Sequence, residues 1–253
     1  MIYVTGDCHA DWTRFSSISF PEQKRMTRDD FVIVCGDFGI WHQDNTEKWW
    51  FKRLSEKNFT LLFVDGNHEN FDRLYSNEFE IVDFHGGKAH KICENVYHLM
   101  RGYVFNLCGK KFFAFGGASS HDIQDGILDP EDFKSNRELF DEYKKRTRRG
   151  EMLRIKHLSW WEQEMPSNAE MDFGLKTLKE NGYKVDFIVS HCCPQHIASC
   201  FSQGICKPDE LTLYFNTVSE MVEFDKWFFG HYHDSQTVLG KFVMLYEQIV
   251  RIV

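Results

Sequence analysis

The first third of the chain repeats one pattern: a short unbroken apolar run, then glycine and a polar residue. Ile2–Thr5, Phe31–Cys35 and Thr60–Val64 are rich in β-branched or aromatic residues and lead into Gly6-Asp7, Gly36-Asp37 and Asp65-Gly66-Asn67. The runs recur roughly every 30 residues, the length of a βαβ unit. Apolar runs that do not alternate predict strands covered on both faces. Between them Thr46–Lys57, with Trp50 and Leu54 one helical turn apart, predicts a helix.

Further strands are predicted at Val104–Leu107, Lys111–Phe115, Val185–Val189 and Trp227–Phe229, and Thr237–Val253 reads as a closing hairpin turning at Gly240-Lys241. Residues from about 120 to 165 read as an inserted, mostly helical segment. Ser159 with Glu162, and Ser167 with Glu170, fit the capping box that starts helices. The second of these carries Met171, Leu175 and Leu178 on one face and stops at Gly182. No repeat, low-complexity tract or linker divides the sequence, so residues 1–253 are expected to form one α/β domain.

Composition changes this picture little. Hydrophobic residues at 42% and charged residues at 27% are ordinary for a globular protein, and most of the 24 phenylalanines must be core. No apolar run approaches the length of a membrane span. The net charge of −8 argues against a broad nucleic-acid-binding surface. It admits an anionic substrate, because bound metal ions dominate the charge of a site. Eight cysteines in a chain of this size, with no Cys-x-x-Cys pair and a first strand where an export signal would stand, suggest reduced thiols in the cytoplasm.

The chemistry lies just past the strand ends. Gly6-Asp7-Cys8-His9, Gly36-Asp37, Gly66-Asn67-His68-Glu69, Ser190-His191 and Gly230-His231-Tyr232-His233 follow in that order. In an extended segment residues i and i+2 point the same way, so Asp7 and His9 can reach one ion. Asp37 can bridge two ions, Asn67 supplies an amide oxygen, and His191, His231 and His233 supply imidazole nitrogens. This mixed nitrogen and oxygen set suits two divalent transition-metal ions, Mn, Fe or Zn with Mn favoured, better than Ca or Mg. Each glycine before a ligand is expected to provide backbone freedom for a tight turn. Two adjacent divalent metals are a device for phosphoryl hydrolysis.

These motifs resemble those of the calcineurin-like metallophosphoesterase superfamily, whose pattern is GDxH, GDxxD, GNH(D/E), H and GHxH, and bacterial and phage members look similar. The resemblance runs from Asp7 to His233. It implies a four-layer α/β/β/α sandwich of two mixed sheets. It also implies one metal on Asp7, His9, Asp37 and His233, and a second on Asp37, Asn67, His191 and His231. His68 matches the histidine that assists catalysis, with Asp37 bridging, and the implied reaction is attack of a metal-activated hydroxide on a phosphomonoester. Rivals are a phosphodiesterase or nucleotide pyrophosphohydrolase with the same site, and a scaffold that lost catalysis, against which the intact His68 argues.

The chain departs from the pattern in the second motif, where Ile40 stands for the usual second acid. Trp41 and His42 stand where protein Ser/Thr phosphatases carry a phosphate-binding arginine, so phosphate contacts must come from elsewhere. Glu69, His42, His121 and Asp122 are weaker candidates for contact with the substrate or the ligands. Phosphorylated small molecules, nucleotides and phosphoproteins are the expected partners, without stable nucleic-acid or membrane binding. The basic run from Lys144 to Lys156 reads as a solvated helix face in preference to a substrate-recruiting rim.

Overall fold

Side chains on each central strand alternate between two faces, and both sets are buried. In β1 (Ile2–Thr5) Ile2 and Val4 enter one core cluster and Tyr3 another; in β2 (Phe31–Val34) Phe31 and Ile33 part from Val32 and Val34 in the same way. A sheet apolar on both faces needs a layer on each side, and one of those layers is a second sheet. The computed structural model describes residues 1–41, 43–202 and 205–253.

The first half of the chain continues with α1 (Asn45–Ser55), β3 (Thr60–Phe63), the single turn α2 (Phe71–Leu74), β4 (Glu80–Phe84), β5 (Gly87–Cys93) and β6 (Val96–Leu99). Then come β7 (Tyr103–Leu107), β8 (Lys110–Phe115), β9 (Ile127–Leu128), α3 (Asn136–Thr147), β10 (Arg154–Ile155) and α4 (Asn168–Glu180). The chain ends with β11 (Phe187–Ser190), α5 (Gln195–Ser202), α6 (Glu210–Met221), β12 (Lys226–Phe229), β13 (Gln236–Val238), β14 (Phe242–Met244) and β15 (Val250–Arg251). Among the described residues these strands build a seven-stranded sheet, β15-β1-β2-β3-β6-β5-β4, and a six-stranded sheet, β13-β14-β12-β11-β8-β7. Both are mixed. β1, β2, β3 and β6 run parallel in the first, and β8, β11, β12 and β14 in the second.

Between the sheets lie Ile2, Val4, Ile33, Leu62 and Val64 from one side and Phe112, Ala114, Phe187, Val189 and Phe228 from the other. The outer face of the first sheet packs Val32, Val34 and Phe63 against Leu54 of α1 and the Trp12–Phe20 segment. The outer face of the second packs Phe113, Ile188 and Trp227 against Ile197 of α5 and Leu211, Phe215 and Val218 of α6. The result is the expected α/β/β/α sandwich. At about 1.5–3 kcal/mol for each large side chain buried, this three-part core is the main stabilising term.

Four local expectations need correction. The segment 120–165 is not mostly helical: α3 is its one α-helix, and the rest is the short β9–β10 pair, two 3₁₀ turns and irregular chain that reaches back to the site. Ser159 starts no α-helix: its hydroxyl accepts from the Ile155 backbone N–H, and only the 3₁₀ turn Glu162–Glu164 follows. Ser167 does cap α4, with both halves of the capping box formed. The closing hairpin is shorter than expected. β13 and β14 form it around Leu239 and Gly240, both at positive φ, and β15 then crosses to pair with β1 in the other sheet. The first predicted helix is capped by Asp44, two residues before its expected start, because that carboxylate accepts from the Glu47 N–H at 2.7 Å.

Candidate metal centre

The parallel strands of both sheets end on the same side of the sandwich. Asp7 and His9 follow β1, Asp37 follows β2, Asn67 and His68 follow β3, His191 follows β11, and His231 and His233 follow β12. The loops are crowded. A Cβ built on Gly66 would lie 2.0 Å from Asp37 Oδ1, and one on Gly230 2.0 Å from Asp7 Oδ1. Close approach, with no positive φ, is therefore why Gly66 and Gly230 are glycine, contrary to the expected turn freedom; Gly36, at φ +94°, needs both. Left-handed backbone falls instead on the ligand candidates themselves: His9, Asp37, His231 and His233 all have φ between 48° and 69°. Such a conformation costs a non-glycine residue about 1–2 kcal/mol and persists where surrounding contacts enforce it, typically at functional sites.

Those contacts are visible. The Asp37 carbonyl accepts from the N–H groups of Cys8 and His9, Asp37 Oδ1 accepts from the His68 N–H at 2.8 Å, and both Asp7 oxygens face the His231 N–H. The remaining donor atoms converge. Asp7, His9 and His233 offer ligand atoms within 4.8 Å of one another, and so do Asp7, Asp37 and His191. Asn67 Oδ1 stands 3.2 Å from His191 Nε2, and the His231 ring centroid 4.9 Å from that of His191.

Two details favour a cation among these groups. His191 Nδ1 contacts the Cys35 carbonyl at 2.7 Å and must donate to it, which leaves Nε2, facing Asp37 Oδ2 and Asn67 Oδ1, as the nitrogen that could coordinate a cation. His9 Nε2 and His233 Nε2 approach to 3.0 Å beside the Asp7 carboxylate, a meeting that a shared proton or a shared cation can reconcile. Burial opposes charge on Asp37 and His191, yet each stabilises the other's charged form, so that Asp37 is lowered and His191 raised; a cation at Nε2 would take the place of the proton that this pair holds. Negative charge buried at this depth calls for a positive partner.

His68 lies beside this group, its ring centroid 5.3 Å from that of His9. Burial pushes its pKa down. Its carbonyl accepts from the Trp41 indole N–H at 2.6 Å. The neighbouring Glu69 is turned to other partners. The Glu69 carboxylate is fully buried and accepts from the backbone N–H groups of Phe38, Gly39 and Ile40, where it pins the loop that carries Asp37. The Asp7 carboxylate is likewise turned to His231 and not to His68. His121 stacks near His231, with centroids 4.5 Å apart, and Asp122 binds Arg154. His42 lies outside the described residues.

Arg154 belongs to the basic run that reads as a solvated helix face in preference to a substrate-recruiting rim, but it lies on no helix. It sits on β10, which pairs in parallel with β9, and Asp122 holds its guanidinium through Nε at 2.8 Å and through Nη2. Its Nη2 reaches to 3.4 Å from His68 Nε2. Arg154, His68, His9, Trp41, Leu158, Ser159 and Trp161 line one cavity of about 400 Å³. A larger one, about 920 Å³, opens on the side of His121, Lys207 and His233. No described helix is long and apolar enough to cross a membrane.

The family model described as calcineurin-like phosphoesterase matches residues 1–235. No curated protein matches the chain.

Proposed function

Because the chain belongs to the calcineurin-like phosphoesterase family, we propose that it hydrolyses phosphomonoesters with two divalent metal ions. The observation that carries this reading is the convergence of Asp7, His9, Asp37, Asn67, His191, His231 and His233 where the two sheets end. In it, Asp7, His9, Asp37 and His233 hold one ion, and Asp37, Asn67, His191 and His231 the other. Manganese is favoured, with iron and zinc as the other choices for such donors. When bound, the ions supply Lewis acidity, polarising phosphoryl oxygens and lowering the pKa of water.

The protein's own groups do the rest. Arg154 presents its guanidinium to the phosphoryl oxygens, taking the part of the arginine that Trp41 and His42 replace. A monoester dianion carries one more charge than a diester, so a guanidinium at this point supports the monoester. His68, once the guanidinium of Arg154 has turned to the phosphoryl oxygens, delivers a proton to the departing oxygen, a step typically worth 10²–10⁴-fold. Trp41 fixes the His68 backbone, and Trp41, Leu158 and Trp161 exclude water from the leaving-group side. We read the chain as one domain in which the inserted segment 120–165 supplies Arg154, and as cytoplasmic, in keeping with its eight free cysteines.

The phosphodiesterase is the second reading, favoured by the cavity beside His121 and Lys207, which has room for a second ester group. With Mn²⁺ present, p-nitrophenyl phosphate and its bis-p-nitrophenyl diester separate the two. Faster turnover of the monoester supports the first reading; faster turnover of the diester replaces it with the second.

A further inference from the structure

The buried carboxylate of Glu164 takes part in none of the steps above. It closes the 3₁₀ turn Glu162–Glu164, is 2% exposed, and accepts twice from Ser120: Oε1 from the backbone N–H at 2.9 Å and Oε2 from the hydroxyl at 2.6 Å. A hydroxyl has one proton to give. With that proton committed to Glu164, Ser120 Oγ can only accept, and the group 3.2 Å away is Asn67 Nδ2. Ser120 and Asn67 are both buried.

The two ends of an asparagine amide have nearly the same shape, and hydrogen-bond partners alone decide which end points where. Here the NH₂ turns to Ser120, so Oδ1 turns to the opposite side, 3.2 Å from His191 Nε2. Only Oδ1 can hold a cation. The loop that brings Ser120 into place is itself fixed on both sides, since the Ala118 N–H donates to the Glu164 carbonyl and the Gly117 N–H to that of Asp65, two residues before Asn67.

We propose that Glu164 is a positioning residue which, through Ser120, sets the direction of the Asn67 amide and so completes the metal site nearest His191. The inference rests on the reading of Asn67 as a ligand given under Proposed function. Outer partners of metal ligands typically contribute 10–100-fold to metal affinity.

Glu164→Gln tests it with almost no change of shape. One end of the new amide is an NH₂ that donates to Ser120 Oγ, which frees the Ser120 proton to be offered to Asn67. An Asn67 that accepts it turns Oδ1 away from the centre and its NH₂ inward. Burial pushes the Glu164 carboxyl up to about 7 against the Ser120 bonds, so the comparison is made above that pH, with the wild-type carboxylate ionised.

Mn²⁺ is titrated calorimetrically into metal-free protein, with the melting temperature of the metal-free form as the second readout. The expected result is two ions bound by the wild type and, in Glu164→Gln, one of them weakened roughly 10–100-fold with the metal-free melting temperature not lowered. Ser120→Ala, which removes the latch but keeps the carboxylate, weakens the same ion, and Ser120→Thr restores it. Wild-type affinity for both ions in Glu164→Gln and Ser120→Ala overturns the inference. So does an equal loss at both ions together with a lower melting temperature, the sign of a merely structural role. A wild type that binds fewer than two ions contradicts the two-metal reading itself and the inference with it.

Discussion

Arg154 Nη2 lies 3.4 Å from His68 Nε2 although 86 residues of chain separate them. The first belongs to the ribbon of the inserted segment and the second to the loop after β3. Asp122 holds the guanidinium in this position, so the cation is already oriented where a phosphoryl group would meet His68.

Arg154→Ala should therefore lower kcat/KM for a phosphomonoester by roughly tenfold to a hundredfold, the worth of a charge-assisted hydrogen bond of about 1.5–3 kcal/mol. Metal content should not change, because the side chain touches none of the ligands. A variant with wild-type kcat/KM would remove Arg154 from the site.

His68→Ala should retain its metal and lose about 10²–10⁴-fold in kcat. Steady-state kinetics beside elemental analysis checks both halves. Unchanged turnover would exclude His68 from the reaction.

Asp37 faces both His9 and His191, at 3.7 and 3.4 Å, from a single oxygen. Asp37→Asn should strip metal from both sites. Gly66→Ala should do the same without altering a donor, because the added methyl falls on Asp37 Oδ1. Metal-to-protein ratios after gel filtration decide between loss of both ions and loss of one.

Much of this was legible in the sequence, and for a physical reason. Ligands on loops after buried parallel strands inherit the rhythm of those strands, so the spacing of Gly6, Gly36 and Gly66 revealed the first three turns. Apolar faces on both sides of β1 and β2 likewise required a covering layer on each side, while it was the family resemblance that implied a second sheet as one of them. Arg154 and Glu164 were not legible, since each acts through a contact far away along the chain and no local pattern records it. Ser159 misled because its hydroxyl satisfies Ile155 in a tight turn, whereas Ser167, with the same spacing to its glutamate, caps a true helix.

Below the loop that carries Asn67, Asp65 is fully buried between Arg101 and His98; its Oδ2 accepts from Arg101 Nε at 2.9 Å and its Oδ1 lies 3.0 Å from His98 Nε2. Burial opposes charge on Asp65, but Arg101 and then His98 hold its pKa well below the usual range. A carboxyl lowered in the folded state stabilises fully above its unfolded pKa of about 3.9, and that stabilisation declines as pH falls below this value and is gone only once pH has passed through the lower folded pKa. Asp65→Asn leaves Arg101 buried without its carboxylate and should cost about 3–5 kcal/mol at neutral pH. Urea midpoints measured at pH 7 and again near pH 3 should lie closer together at the acid end without meeting, because the loss has begun below the unfolded pKa and is completed only below the folded one; a gap that stays constant would show that the Asp65 charge contributes nothing.

The most direct test of the central claim is one titration of metal-free protein with Mn²⁺, in which bound metal and hydrolysis of p-nitrophenyl phosphate are followed together. The account predicts that hydrolysis rises as the second ion binds and that Asp37→Asn stays inactive throughout. Hydrolysis without added metal, or full activity at one ion per chain, would contradict it.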